Sequence, residues 1–286
     1  MMEAYYRIWL DKIRYRGEVE LNNKVSIIMG VYNGSRYIRD SIDSIINQTY
    51  KNWEFIICDD CSSDNTIDII QEYMKNDSRI KLIKNDKNIG LAATLNKCLG
   101  QCTGEYIARQ DDDDISLPER LEKQVKFLEQ NTQYDLVGSR AYLIDKDNNI
   151  WGKSKLPTEK PESINLLHGP CFIHPTIMIR KIVIDELNGY NEKALRVEDY
   201  DLWFRFFANN FKAFNMQESL IKYRLDTHSY KKRKYKYRIN EFKVKIKGYK
   251  INNIPYRKRI YALKPLIIGL IPSRFISKFH SNKFSV

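Results

Sequence analysis

Four short apolar runs between residues 25 and 108 alternate with segments whose apolar residues recur at helical spacing, and this alternation restricts the fold more than any other feature. The run Val25-Ser26-Ile27-Ile28-Met29 passes through a turn, Gly30-Val31-Tyr32-Asn33-Gly34, into a segment with Ile38, Ile42, Ile45 and Ile46 on one helical face. Phe55-Ile56-Ile57-Cys58 is a second strand, closed by Asp59-Asp60. Ser63 or Asp64 offers the cap of a helix carrying Ile67, Ile70 and Met74. Ile80 to Ile83 is a third strand, Leu91, Leu95, Cys98 and Leu99 mark the face of a third helix, and Tyr106 to Ala108 is the fourth strand. A helix from Pro118 then buries Leu121, Val125 and Leu128. This βαβαβαβ order predicts an α/β, Rossmann-like chain: a mostly parallel, twisted sheet with helices on both faces.

Such sheets bind ligands outside the carboxyl ends of their strands. Those ends carry Tyr32-Asn33, Asp59-Asp60 and the unbroken run Asp111 to Asp114. Packing like charges together is costly unless solvent or a cation absorbs them. A solvated acidic loop is one reading of the run; a seat for a hard divalent metal is the other. Beyond Asp135 the pattern changes. Asp135 to Ile144, the turn Asp145 to Asn149, and Ile150-Trp151 predict a hairpin, Pro157 to Pro161 a loop, and Cys171 to Ile179 a strand containing His174-Pro175. A second acidic cluster, Glu198-Asp199-Tyr200-Asp201, opens a helix rich in Leu202, Trp203, Phe206 and Phe207. Acids in a first helical turn complement the helix dipole, which accounts for Glu198 and Asp201. Asp199 beside a sheet edge is where a general base would be useful.

Charge divides the chain unevenly. Lys222 to Val286 hold 19 Lys and Arg against Asp226 and Glu241, so the tail carries +17 and the preceding residues −5. Two bodies with different jobs are expected, the second a basic helical extension. The division is residues 1–23 as an N-terminal extension, 24–224 as the main domain and 225–286 as the tail. Within the main domain, 24–115 reads as a nucleotide-binding half and 116–224 as an acceptor half. Charges at Glu3, Arg7, Asp11, Lys12, Arg14 and Arg16 leave no room for a signal-peptide core, and Leu266 to Ile271 is too short for a membrane span. Cys58-x-x-Cys61 admits a redox or zinc reading that Cys98 and Cys102 would complete. However, Cys58 ends an apolar strand and Cys98 shares a helix face with Leu91 and Leu95. With Cys171 the five read as reduced, cytosolic packing residues. The basic run Lys231-Lys232-Arg233-Lys234-Tyr235-Lys236-Tyr237-Arg238 suits a nucleic-acid-binding module, but the acidic strand ends would repel phosphate. A metal-dependent nucleotidyltransferase explains the aspartates without explaining Glu198-Asp199.

The ordered segments Val25 to Asn33, Gln48-Thr49-Tyr50, Trp53 to Asp64, Ala108 to Asp114, Pro118-Glu119-Arg120-Leu121, His174-Pro175 and Glu198 to Trp203 resemble family 2 glycosyltransferases with the GT-A fold. The likeness runs from about Lys24 to Arg224 and implies an inverting enzyme with a nucleotide-sugar donor, a UDP-sugar, and a Mn²⁺ or Mg²⁺ ion. Members with these motifs build bacterial capsule, O-antigen or related cell-surface glycans on saccharide or lipid-linked acceptors. The transferred group expected is a hexose or N-acetylhexosamine. The resemblance implies that Tyr32 lies against the nucleotide base, with Asn33 beside it, and that Asp60 accepts from the base. Asn88 and Gly90 match the Asn-x-Gly turn near the nucleotide, and Asp111 and Asp113 match Asp-x-Asp. Asp113 is the implied metal ligand and Asp111 lies nearer the ribose or sugar; Asp112 stays an alternative in register. Asp199 matches the catalytic base, and Glu198 and His174 fall near the acceptor. His228 departs from the Tyr-Arg-x-His spacing because Leu225-Asp226-Thr227 intervene. For the tail, basic residues of 231–250 and an apolar patch (Ile260, Leu263, Leu266, Ile267, Leu270, Ile271) predict peripheral attachment to an anionic membrane surface at the cytoplasmic face. Nucleic acid is not an expected partner.

Overall fold

The apolar runs are strands, and each is followed by the helix that the periodicity predicts. The computed structural model describes residues 23–225 and 234–270. Its first half is β1 (Val25–Val31), α1 (Ile38–Ile46), β2 (Trp53–Asp59), α2 (Thr66–Asn76), β3 (Ile80–Lys84), α3 (Leu91–Leu99) and β4 (Tyr106–Arg109). Every residue of β1 and β2 is buried, as central parallel strands covered on both faces require. β1 and β2 pair from Val25 opposite Trp53 to Val31 opposite Asp59. β3 lies beyond β2 and β4 beside β1, all parallel. The cap residue of α2 is Asn65, without a side-chain cap bond, rather than Ser63 or Asp64; Asp64 Oδ1 accepts from the backbone N of Thr66 at 3.1 Å.

The second half mixes directions. After β5 (Ile115–Ser116) and α4 (Arg120–Gln130) come the expected hairpin β6 (Leu136–Ile144) and β7 (Ile150–Lys153). Then follow β8 (Met178–Arg180), α5 (Lys181–Glu186), α6 (Glu198–Ala208) and β9 (Ala213–Arg224). The sheet order is β3-β2-β1-β4-β8-β6-β9-β5, with β7 attached to β6. β8 is antiparallel to β4 and β6, β9 is parallel to β6, and β5 is antiparallel to β9. The sheet is therefore parallel through its first four strands and mixed beyond them. Ile115 pairs with Lys222 and Ser116 with Ile221, a short contact that folds the aspartate run back onto the end of β9.

Alternation along β1 divides its side chains between two cores. Ile27 and Met29 pack with Ile38, Ile42, Ile45, Leu121, Val125 and Leu128 on one face. On the other, Ile28 joins Leu95, Cys98, Leu202, Trp203, Phe204 and Phe206. That second core also takes Val244 and Tyr249 from α7 (Tyr235–Ile251), and Ile254 and Ala262 from the turns before α8 (Lys264–Leu270). Gly248 permits the approach, since a Cβ there would stand 2.2 Å from the Phe204 ring. The tail that charge sets apart as a second body is thus joined to the first by a shared core.

Two local expectations fail for identifiable reasons. Cys171 to Ile179 is not one strand: His174–Thr176 is a 3₁₀ turn and pairing begins at Met178. Pro175 has no N–H to give a ladder in mid-sheet. Leu91 is 39% exposed as the first residue of α3, although its Cδ1 still lies over Gly30 of β1. Cys58, Cys98 and Cys102 are buried free thiols, whereas Cys61 is exposed at positive φ, so Cys58-x-x-Cys61 forms no bridge. His228, Lys231 to Arg233, Ile271 and the N-terminal extension lie outside the described residues.

Candidate active site

The turns after β1 and β2 hold each other. Asn33 takes φ +55, its N donates to Ser62 Oγ at 2.8 Å, and its Oδ1 accepts from Ser63 N at 2.8 Å. Asparagine tolerates this left-handed geometry better than most residues. Tyr32 stands beside it with 53% of its surface exposed, an open aromatic face at the sheet's carboxyl edge. Asp60 is 4% exposed and turns inward. Its Oδ1 accepts from Asn85 Nδ2 (2.9 Å) and Ile89 N (2.8 Å), its Oδ2 from Gly90 N (2.8 Å). Asp60 therefore fixes the third turn, and only one lone pair of Oδ2 is left for a ligand. Gly90, at φ +89, adopts a conformation only glycine takes without strain, and Asn88 is exposed on the same turn. Asn85, which the sequence did not single out, is buried between Asp60 and Lys97, accepting from Lys97 Nζ at 2.7 Å.

The four aspartates are not equivalent. Asp114 is fully buried: its Oδ1 accepts from Arg224 N at 2.8 Å, and its Oδ2 has no hydrogen-bond partner among the described residues. Burial, then Asp111 and Asp113, push its carboxyl well above the usual range, and its bond to Arg224 N makes it a structural group. Burial with Asp113 and Asp111 raises Asp112 to about 7. Burial and Asp111 raise Asp113 to about 6 against the pull of Arg224. Arg224 braces the turn: its Nε donates to Asp113 O at 2.8 Å and its guanidinium lies 3.9 Å from the Tyr37 ring centroid. Asp111 is paired with Arg109, whose Nε donates to Oδ1 at 2.7 Å. Gly34 lies against Asp112, since a Cβ there would be 2.3 Å from Asp112 Oδ2. The aspartate turn thus abuts the turn bearing Tyr32 and Asn33.

The helix α6 brings the second acidic cluster to the same place. Asp199 Oδ1 accepts from Tyr200 N at 2.7 Å. The Tyr223 phenol is raised above its ordinary range by burial and then by Asp114, Asp111, Asp113 and Asp199. Tyr190 is raised by burial and by Asp111, Asp199 and Glu198 against Arg109. Carboxylates of the strand end and of the helix therefore lie within electrostatic reach of the same two phenols. His174 Nε2 lies 2.9 Å from Tyr190 Oη and edge-on to Trp203. Burial and the nearby Arg109 hold His174 well below its ordinary pKa, as a neutral imidazole.

Among the described residues, no three His, Cys, Asp or Glu side chains are grouped to hold a metal ion. One or two carboxylates fit an ion of the Mg²⁺ type, which completes its shell with phosphate oxygens and water. The raised carboxyls of Asp112 and Asp113 fit that donor set, because crowded carboxylates gain from a cation. Arg109, Asn85 and Arg224 are site residues to which the motifs assigned no role, though Arg109 lies within the Ala108 to Asp114 segment and Arg224 is the arginine of Tyr-Arg. Their one sequence signal is position, directly at or after strand ends.

The profile described as Glycosyl transferase family 2 matches residues 26–187. The putative glycosyltransferase EpsE of Bacillus subtilis is 43% identical over 263 residues, 91% of this chain and 94% of its own length. The UDP-Glc:alpha-D-GlcNAc-diphosphoundecaprenol beta-1,3-glucosyltransferase WfgD of Escherichia coli is 35% identical over 249 residues, 86% of this chain and 93% of its own. Among solved structures, S. aureus TarS 1-349 in complex with UDP-GlcNAc superposes with a TM-score of 0.68 at 18% identity, covering 85% of this chain and 71% of that one. The mannosyltransferase PcManGT from Pyrobaculum calidifontis, in complex with GDP-Man and Mn²⁺, gives 0.62 at 16%, covering 98% and 86%. At those identities the structural likeness speaks for the fold alone.

Proposed function

The chain belongs to glycosyl transferase family 2, and from that premise we propose that it moves a hexosyl or N-acetylhexosaminyl group from a UDP-sugar, with inversion, to a saccharide or lipid-linked saccharide in bacterial cell-surface polysaccharide synthesis. One arrangement supports the reading: Asp111 and Asp199, from a strand end and a helix start, lie within electrostatic reach of the same phenols, Tyr190 and Tyr223. A displacement at a sugar carbon needs a charge-bearing site on the leaving side and a base on the attacking side. The UDP-Glc and diphosphoundecaprenol in the name of WfgD, and the UDP-GlcNAc bound by TarS, support the donor and acceptor classes.

Tyr32 presents a ring face to the nucleotide base, and Asp60 keeps one carboxylate lone pair for the base edge while fixing Gly90 beside it. Asp113, with Asp111 nearer the sugar and Asp112 as the neighbouring oxygen source, would hold a Mn²⁺ or Mg²⁺ ion, which offsets charge on the departing diphosphate. Asp199 takes the proton of the acceptor hydroxyl as its oxygen bonds to the anomeric carbon, while the bond from that carbon to the diphosphate oxygen breaks. A single displacement leaves the anomeric centre inverted. Neutral His174 and Glu198 shape the acceptor side.

The tail supports attachment to an anionic membrane surface at the cytoplasmic face, close to a lipid-linked acceptor. Residues 234–270 hold eleven Lys and Arg against Glu241. Tyr256, Ile260, Ile267 and Leu270 are among the most exposed apolar side chains, and each basic residue near anionic lipid contributes about 1 kcal/mol. No described helix is long and apolar enough to cross a membrane. In flotation with anionic vesicles, the double variant Ile260→Ser, Ile267→Ser should lose salt-sensitive binding; equal recovery with wild type refutes this part.

The catalytic reading is tested by thermal shift with UDP-, GDP- and dTDP-sugars in Mn²⁺, since a ligand bound only by the folded chain raises the melting temperature. Turnover of the stabilising donor follows, with the product's anomeric configuration read by NMR. Stabilisation by a UDP-sugar and an inverted product are expected; a retained configuration overturns the mechanism.

A further inference from the structure

Arg109 is a buried cation beside the aspartate turn that this mechanism leaves without a task. It ends β4 and is 2% exposed. Nε and Nη2 both engage Asp111 Oδ1, so a single edge of the planar guanidinium makes the ion pair. Nη1 occupies the corner turned away from Asp111 and has no hydrogen-bond partner among the described residues. A buried N–H without an acceptor is unfavourable, and such groups in native proteins call for an explanation. The guanidinium's charge acts on His174 and Tyr190, and Glu198 acts on the guanidinium. Arg109 is thus bonded to the aspartate turn and lies within electrostatic reach of Glu198, on the helix that carries Asp199.

We propose that Arg109 is the residue that selects the donor sugar, giving its Nη1 hydrogen to a neutral oxygen on the pyranose ring, a hydroxyl or an N-acetyl carbonyl. This rests on the glycosyl-transfer reading above. In that reaction the diphosphate lies at Asp113, with Asp111 nearer the sugar and the acceptor hydroxyl at Asp199, so the sugar lies beside the Asp111–Arg109 pair. The oxygen is a neutral one because Asp111 and Glu198 already oppose the positive charge, and a uronate carboxylate would meet both of them. Lysine at this position can pair with Asp111 as a point charge but has no second corner to offer.

The test is a cycle between residue and ligand. UDP, UDP-glucose, UDP-galactose, UDP-GlcNAc, UDP-GalNAc and UDP-glucuronate are titrated with Mn²⁺ against wild type and Arg109→Lys. Single-deoxy forms of the donor that turns over are then assayed on both. UDP affinity should be unchanged in Arg109→Lys, while kcat/KM for the preferred donor falls about 10-fold or more, the scale of a lost charge-assisted hydrogen bond. In wild type, deletion of one sugar oxygen should cost about as much, and in the variant the same deletion should cost almost nothing. A purely structural Arg109 would change UDP and UDP-sugar binding together. If the variant folds poorly, wild type decides alone: equal kcat/KM for every single-deoxy donor overturns the assignment. Turnover in which Arg109→Lys keeps the full ranking of sugars overturns it as well. Failure of every UDP-sugar to bind would overturn the UDP-donor reading first, and this one with it.

Discussion

Replacing Tyr249 decides whether the basic C-terminal segment is an appendage or part of what holds the catalytic helix. Tyr249 is fully buried, its ring is edge-on to Phe204 with centroids 5.6 Å apart, and its hydroxyl donates to Leu167 O at 3.2 Å. Its neighbour Lys245 is also buried and sets its ammonium 5.6 Å from the Tyr200 ring centroid. Tyr200 in turn follows Asp199 directly and bonds to Leu166 O. Truncating a buried aromatic to alanine costs ~3–5 kcal/mol. Of this, the hydroxyl bond accounts for ~1 kcal/mol and the edge-to-face contact for ~0.5–1.5 kcal/mol. At ~2–4 °C per kcal/mol for a chain of this order, Tyr249→Ala should melt ~6–20 °C below wild type and Tyr249→Phe ~2–4 °C below. Circular-dichroism melts, with turnover measured below the transition, provide the assay. Loss of transfer should exceed loss of UDP binding, because the contact supports the helix start and not the nucleotide turns. Tyr249→Ala melting within ~2 °C of wild type would refute the shared core. By the same reasoning, cutting the chain after Arg224 should expose Phe204 and destabilise the whole fold, rather than leave an intact donor site.

Asp199→Asn keeps shape but cannot take a proton, so transfer should fall by ~10²-fold or more with UDP affinity unchanged; a collapse of UDP binding in calorimetry would reassign Asp199 to the donor. Asp113→Ala should abolish transfer and weaken metal-dependent UDP binding, and full wild-type turnover in excess EDTA would count decisively against a metal role for the aspartate turn. Asp112 and Asp113 have carboxyl pKa values raised to about 7 and about 6 in the folded chain, above the ordinary 3.8. The folded state therefore binds these protons more tightly than the unfolded state, and their contribution to stability is lost as pH rises through 6 to 7. Metal-free protein should melt higher at pH 5.5 than at pH 8, and Asp112→Asn should flatten the slope; a melting temperature that rises with pH across that window refutes the crowding of these acids.

What the sequence determined is the set of features that depend on local spacing. Unbroken apolar runs and period 3.6 place β1 to β4 and their helices, the strands to within two residues at their ends, because burial on both faces of a parallel strand favours apolar runs such as Val25–Val31. The same logic puts Tyr32, Asp60 and Asp111 to Asp114 at the carboxyl edge, since strand ends follow from strand extents. Direction and pairing, by contrast, belong to tertiary structure. No local pattern distinguishes Asp60, aimed at the Gly90 turn, from Asp113, or marks Asp114 as a buried brace under Arg224. His174 was legible as a residue but not as a neutral ring against Tyr190, because its state is set by groups distant in the chain. Arg109 pairs with Asp111 two residues on, which spacing alone does not signal, and only the meeting of β2 with the Gly90 turn gives Asn85 its partners. Charge separated the tail from the rest of the chain, yet packing joined them. Net charge counts residues without regard to direction, whereas Tyr249 and Gly248 meet Phe204 only when the helices are docked.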